Sequence, residues 1–234
     1  MIPLSDDPKR RTFPVVTVAL IVINVLVFIY ELSLGSGMDA FLQAFGAVPA
    51  EIVSGRNVPP PAPLGVPYLT LFTSMFLHGS ILHIASNMIY LWVFGDNVED
   101  AFGHVGYLIF YLVCGLIAGL AQIFIDVNST LPSVGASGAI AGVLGAYLVL
   151  YGSARVRTLV FLGPIILLPR LPAMFLIGFW FVTQLVSGLG ALTERTQQTG
   201  GVAFWAHIGG FVAGLLLALL FRPRTASYSR SPDY

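Results

Sequence analysis

Apolar positions in this chain fall into long runs rather than into an alternating or strongly amphipathic pattern. Six runs approach the roughly 20 residues that a helix needs to cross a bilayer. They are residues 14–34, a run from Ser80 to about Phe94 or a turn beyond, and residues 105–125, 134–151, 171–192 and 202–221. A shorter apolar stretch, residues 158–169, contains Pro164, which predicts a re-entrant or interfacial piece leading into the fifth span. Residues 35–76 hold "MDAFLQAFGAV" and "NVPPPAPLGVP", a pattern that predicts an ordered, partly membrane-embedded loop. No second domain or internal repeat is evident. The expected organisation is an all-α membrane protein: an N-terminal segment 1–13, a six-transmembrane-helix bundle 14–221 and a tail 222–234.

Composition agrees with burial in lipid. Of 234 residues, 56% are hydrophobic and 9% charged, with a mean hydropathy of +0.86. A soluble domain carries about 25% charged residues. Net charge is zero and the basic residues are scattered, so a nucleic-acid partner has no electrostatic support. The single cysteine, Cys114, lies in an apolar run and reads as a packing residue. Lys9, Arg10 and Arg11 before the first run resemble a signal peptide. The long run without a small-residue cleavage site before Glu31 predicts a retained span instead.

Six spans put both termini on one side. That side would hold Lys9, Arg10, Arg11, Arg155, Arg157, Arg170, Arg222, Arg224 and Arg230, against Arg56 and Arg195 on the other. The positive-inside rule then predicts a multi-pass cell-membrane protein with both termini cytoplasmic. In that orientation the second, fourth and sixth spans all run inward from the outer face. His78, His83 and Asn87 lie at or near the start of the second, Ser137 in the first turns of the fourth, and His207 near the start of the sixth. Five polar residues thus share one layer just below the outer surface.

Taken singly, each has an ordinary explanation. A serine in a membrane helix commonly bonds its own i−4 carbonyl, and a histidine can pack between helices or bind haem or metal. A polar group in lipid is nevertheless costly, so a shared layer of them marks a functional site. His83 and Asn87, spaced i, i+4, share a helix face. His78, five residues before His83, belongs to the lead-in turn, a spacing that argues against a paired metal site. No Cys, Asp or Glu lies nearby in sequence to complete a zinc motif, and no metal or cofactor is expected. Haem ligation by His83 and His207 stays open, although it leaves Ser137 unexplained.

Around Ser137 the residues are small: Gly135, Ala136, Gly138, Ala139, Ala141, Gly142 and Gly145. The sixth span carries Gly210 and Gly214 as a GxxxG pair beside His207. Such faces let helix backbones approach closely, which a short serine side chain requires if it is to meet an imidazole on another helix. A serine bonded to a histidine is an activated nucleophile. Its tetrahedral intermediate needs donors, available from free backbone N–H groups at the helix start and from Asn87 and His83.

With these residues assembled, the chain resembles the rhomboid intramembrane serine proteases. The resemblance rests on "HGSILHIASN" (His78, His83, Asn87), "GASG" (Gly135 to Gly138), "AHIGGFVAG" (His207, Gly210, Gly214) and "GDNVEDAFG" (Gly95, Glu99, Gly103), and runs over residues 14–221. It implies a six-helix rhomboid-like bundle in which Ser137 is the nucleophile and His207 the general base. It further implies an oxyanion hole of His83, Asn87 and the Ser137 N–H, shaped by His78, with transmembrane proteins in the bilayer as substrates. Two features depart from the family pattern. Ala141 stands where many members place an aromatic residue against the histidine, and the first loop lacks a Trp-Arg pair. No acidic third member is evident, Asp126 being a weak candidate. Two other classes compete: a small-solute transporter, which would favour repeats or charges at mid-membrane, and a non-catalytic relative that only binds membrane proteins. The fifth span, bulky and without a GxxxG seam, is expected to pack more loosely and to flank the route of substrate. The loop "TERTQQTGG" after it is expected to act as a cap.

Overall fold

Each of the six long apolar runs is helical in the computed structural model, which describes residues 1–56, 60–193 and 203–221. In chain order the helices are α1 (Val15–Ser33), α2 (Met38–Phe45), α3 (Pro49–Ser54), α4 (Thr70–Thr73), α5 (Ile81–Phe102), α6 (His104–Ile125), α7 (Ser137–Tyr151), α8 (Ala173–Thr193) and α9 (Phe204–Leu220). Three of them, α1, α6 and α8, are individually long and apolar enough to cross a membrane. A fourth crossing arises if Pro67–Phe76 and α5, bent by 76°, count as one broken span. Both α7 and α9 are apolar but shorter. The chain is a multi-pass membrane protein.

The all-α expectation needs one correction. Strands β1 (Ile2–Asp6), β2 (Arg155–Leu162), β3 (Ile165–Leu167) and β4 (Arg170–Pro172) form a small antiparallel sheet, with β1, β3 and β4 each pairing β2. Residues 158–169 are therefore strands and turns rather than a re-entrant segment. Gly163, at φ 60°, supplies the left-handed residue of the β2–β3 turn. The N-terminal segment is held to the body by β1. The tail 222–234 and nearly all of the expected cap, residues 194–201, lie outside the described residues.

Backbone contact between α7 and α9 forms the centre. A Cβ on Gly210 would overlap the Gly138 carbonyl, one on Gly214 the Gly142 carbonyl, and one on Gly145 the Phe211 carbonyl. Helix α6 closes on the same seam, where a Cβ on Gly142 would meet Cys114 at 2.5 Å and one on Gly138 would meet Ala118 at 2.6 Å. Cys114 is accordingly buried packing. Phe94, Tyr107, Tyr111 and Tyr147 fill the rest of the core. By contrast, Phe175, Phe179, Val182, Val186 and Leu189 on α8 face outward.

The "GDNVEDAFG" run is a cap for a different helix. Glu99 of α5 accepts the Val16 N–H at 2.9 Å, the Thr17 N–H at 2.7 Å and the Thr17 hydroxyl at 2.7 Å. A carboxylate thereby satisfies donors at the α1 N-terminus that would otherwise be orphaned. Gly103, at φ 71°, turns the chain from α5 into α6. Gly95 makes room for Tyr107, whose hydroxyl would lie 2.8 Å from a Cβ there.

Near the same end Asp6 of β1 accepts from Tyr147 of α7 at 2.5 Å and from Asn97 of α5 at 2.9 Å. Burial raises the Asp6 carboxyl to about 7, with the Tyr147 hydrogen bond opposing that rise. Such a group binds its proton more tightly in the folded than in the unfolded chain, so stability falls as pH rises from about 4 toward 7 and then levels. Asp6→Asn should flatten that part of the stability profile, read as thermal unfolding in detergent at several pH values. An unchanged slope would remove Asp6 as its source.

The α7–α9 seam makes a second prediction. Gly214→Ala should destabilise by about 1–3 kcal/mol, because backbone rather than a movable side chain opposes the new methyl. Gly178→Ala on α8, where nothing lies within 4 Å, should be tolerated. Equal unfolding temperatures for the two variants would contradict the seam.

Candidate active site

Ser137 is the first residue of α7, so its N–H has no partner within the helix. The chain leading to it is pinned from the first loop. Ala47 and Ser133 exchange backbone hydrogen bonds at 3.0 and 2.9 Å, and the Gly135 N–H donates to the Ser74 carbonyl at 2.9 Å. Gly135 sits at φ 129°, a conformation that disfavours any side chain. A Cβ there would also lie 2.8 Å from His83 Nε2 and 3.5 Å from Ser137 Oγ. The "GASG" run therefore needs glycine at 135 to bring His83 beside the serine, and at 138 to admit α6 and α9.

His207 lies in the first turn of α9, whose start is tied to α6 by the Ala206 N–H donating to Gln122 Oε1 at 3.3 Å. Its Nε2 is 2.7 Å from Ser137 Oγ. On the opposite side of the ring, Nδ1 is 2.7 Å from Gln184 Oε1 of α8. A glutamine oxygen only accepts, so it holds the proton on Nδ1 and leaves the Nε2 lone pair toward the serine hydroxyl. That arrangement suits removal of the hydroxyl proton as the oxygen attacks a carbonyl.

His78 and Asn87 form a buried pair, Asn87 Nδ2 standing 3.0 Å from His78 Nε2. The His83 ring packs edge-on against His78, with ring centroids 5.0 Å apart. The His78 N–H in turn donates to the Glu31 carboxylate of α1 at 3.2–3.3 Å, and Glu31 is itself buried. A cavity of about 30 Å³ opens beside Ser137, lined in part by Gly135, Gly138 and Ser74. That is room for a water molecule. Among the described residues no group of three His, Cys, Asp or Glu side chains converges as a metal site.

The residues read from the sequence therefore come together in one place: Ser137 with His207, and His83, Gly135, Asn87 and His78 along the adjoining side. Three contributors were not foreseen. Gln184 occupies the position beside Nδ1 that an acidic residue would take in a triad. Trp180, also on α8, lays its ring 5.8 Å from the His207 ring at 39°, so the aromatic missing at Ala141 comes from a different helix. Glu31 fixes the backbone of His78 from α1. A lone amide and a lone carboxylate inside apolar spans were the available signals, since each must find a partner in lipid.

Comparison with known proteins agrees with this assembly. A family model described as Rhomboid domain matches residues 67–224. The chain is 30% identical over 97% of its length to the Rhomboid protease GluP of Bacillus subtilis (strain 168), covering 40% of that protein. It is 31% identical over 65% of its length to RHOMBOID-like protein 4 of Arabidopsis thaliana, covering 34% of it. It is 27% identical over 63% of its length to the mitochondrial Rhomboid protein 1 of Saccharomyces cerevisiae (strain ATCC 204508 / S288c), covering 40% of it. The chain thus spans well under half the length of each of these relatives. With the family model covering most of the chain, this protein belongs to the rhomboid family.

Proposed function

We propose that this protein is an intramembrane serine endopeptidase that cuts transmembrane-helix substrates near the outer membrane face. The observation that carries the proposal is the 2.7 Å contact of Ser137 Oγ with His207 Nε2, the far side of the imidazole being held by Gln184. Ser137 Oγ attacks the substrate carbonyl carbon while its proton passes to His207 Nε2. The negative charge on the carbonyl oxygen is met by the Ser137 N–H, by His83, and by the Asn87 N–H not engaged with His78. His207 then gives its proton to the leaving amine as the peptide C–N bond breaks, leaving an acyl ester on Ser137. A water molecule, deprotonated by His207, hydrolyses that ester and restores the serine.

Helix length supports a site below the surface. At 1.5 Å per residue, the 15 residues of α7 rise only about 22 Å, against a hydrocarbon thickness of about 30 Å. If its C-terminal end is flush with the inner face, Ser137 starts roughly 8 Å beneath the outer one, and the space above is left to water. In this reading six helices cross the membrane and both termini are cytoplasmic, as the distribution of Lys and Arg favours. Substrate arrives beside α8, whose outward side is bulky and carries no glycine seam. It unwinds locally there, because a helical carbonyl is engaged in its own hydrogen bond.

Ser137→Ala and His207→Ala should each abolish cleavage of a single-span test substrate in liposomes while the proteins still fold. The double variant should be hardly worse than either single one, since the pair acts as a unit. Cleavage by Ser137→Ala, or failure of a fluorophosphonate probe to label Ser137 in folded protein, would overturn the assignment.

The supporting residues should separate by kinetics. Asn87→Ala should lower kcat by about 10²–10³ with KM little changed, as loss of one oxyanion donor does. Gln184→Leu should also lower kcat, and it should slow probe labelling of Ser137 as well, because it acts on the nucleophile's base. A change confined to KM in Asn87→Ala, or unaltered probe labelling in Gln184→Leu, would reassign the residue concerned.

A further inference from the structure

The segment joining α7 to α8 is built unlike the rest of the molecule. Along the first half of β2 the pattern is that of an ordinary sheet: Val156 and Thr158 are buried, whereas Arg155 and Arg157 are exposed. Beyond Val160 this alternation ends. Phe161 and Leu162 on β2 and Ile165 and Ile166 on β3 are all exposed, at 53–61%, although neighbours on a strand point to opposite faces. The register pairs Phe161 with Ile166 and Leu162 with Ile165, so this ribbon is apolar on both sides and nothing among the described residues covers it.

Its base carries a second anomaly. Arg157 of β2 pairs directly with Arg170 of β4, and Arg155 lies two residues away on the same outward face. Like charges opposed across a ladder are destabilising. None of the three guanidinium groups meets an acidic side chain among the described residues. Asp7 accepts from the Arg155 backbone N–H. Among the described residues, therefore, the face is cationic.

Arginines at the base and an apolar tip fit one environment, the headgroup layer of an anionic membrane. We propose that the β2–β3 hairpin is an interfacial anchor, its three arginines binding lipid phosphates and its tip resting at the boundary between headgroups and acyl chains. Continuity supports this occupant. Strand β4 runs straight into α8, whose Met174 and Phe175 extend the exposed apolar surface. The five steps along the strand from Arg157 to Leu162 reach about 17 Å. A hairpin with open edges does not enter the hydrocarbon core, so it lies slanted along the interface. Pro164 at the turn removes one donor that would otherwise need a partner. The anchor fixes the near end of α8, the helix that also carries Gln184 and Trp180. It does not depend on the proposed proteolysis.

A fluorophore attached at Ile166→Cys tests the placement in the intact protein, reconstituted in phosphatidylcholine vesicles with and without phosphatidylglycerol. Cys114 is buried, which leaves the introduced thiol as the reactive one. Iodide should quench this label several-fold less than the same label at Ser153→Cys. Nitroxides high on the acyl chain should quench it more than deep ones. Iodide quenching equal to that at Ser153→Cys would overturn the proposal. So would shielding that disappears as protein is diluted in lipid, which would assign the tip to a second copy of the chain. For the base, enrichment of phosphatidylglycerol over phosphatidylcholine around the protein should fall by up to about fivefold per arginine removed. Arg157→Gln, which also relieves the like-charge pair, and the triple Gln variant serve as readouts. Unchanged enrichment in a variant with wild-type thermal unfolding would overturn the role of the arginines.

Discussion

The direct backbone contact of α7 with α9 is the constraint on which the site depends. A serine side chain extends only one atom beyond Cβ, so an imidazole from another helix reaches it only when the two helix axes are close. Gly138, Gly142 and Gly145 on one side and Gly210 and Gly214 on the other permit that approach. In lipid, where apolar side chains gain little by leaving the solvent, close van der Waals contact is what associates helices. The same glycines therefore hold the bundle together and set the distance between Ser137 and His207. A methyl group on the seam would act on stability and on the site at once.

Around that seam, the parts of the site are held from different elements. Helix α6 ties down the start of α9 through Gln122, the first loop pins Gly135 through Ser74, and α1 holds His78 through Glu31. His207 is oriented from α8 by both Gln184 and Trp180. The proton position on the imidazole is thus set by the helix with the most outward-facing aromatic surface. In a reading where substrate passes beside α8, access and the state of the base are properties of one element. A shift of α8 that widened the path would also lengthen the contact to Nδ1.

How much of this could be read from the chain follows from the physics of each signal. Helix positions were legible because lipid demands an unbroken apolar run, and helix boundaries follow those runs closely except at α5, which continues through the polar "GDNVEDAF" to Phe102. The gathering of Ser137, His83, Asn87 and His207 was legible because they are polar exceptions in apolar runs that the alternating direction of the helices brings to one end. The β2–β3 hairpin was not recognised as strand, because a ribbon apolar on both faces has no period of two to detect. Trp180 could not be assigned to His207, since a large aromatic in an apolar span has many neighbours available. Gln184 carries a more readable signal, because an amide in a membrane helix must be partnered.

The two ends of α7 show how the fold divides its tasks. Its N-terminal end presents Ser137 with unpartnered N–H groups, beside a cavity large enough for water. Near its other end Tyr147 donates to Asp6 of β1, and the chain passes directly into β2. The helix is too short to reach both faces of a bilayer, and it is buried along most of its length by the helices around it. In the proposed reading this short central helix places the reacting hydroxyl beneath the surface, while the sheet at the far end fixes the helix lengthwise. On that proposal the depth of the site is decided by where the sheet sits, and the strands at one membrane face become a determinant of chemistry near the other.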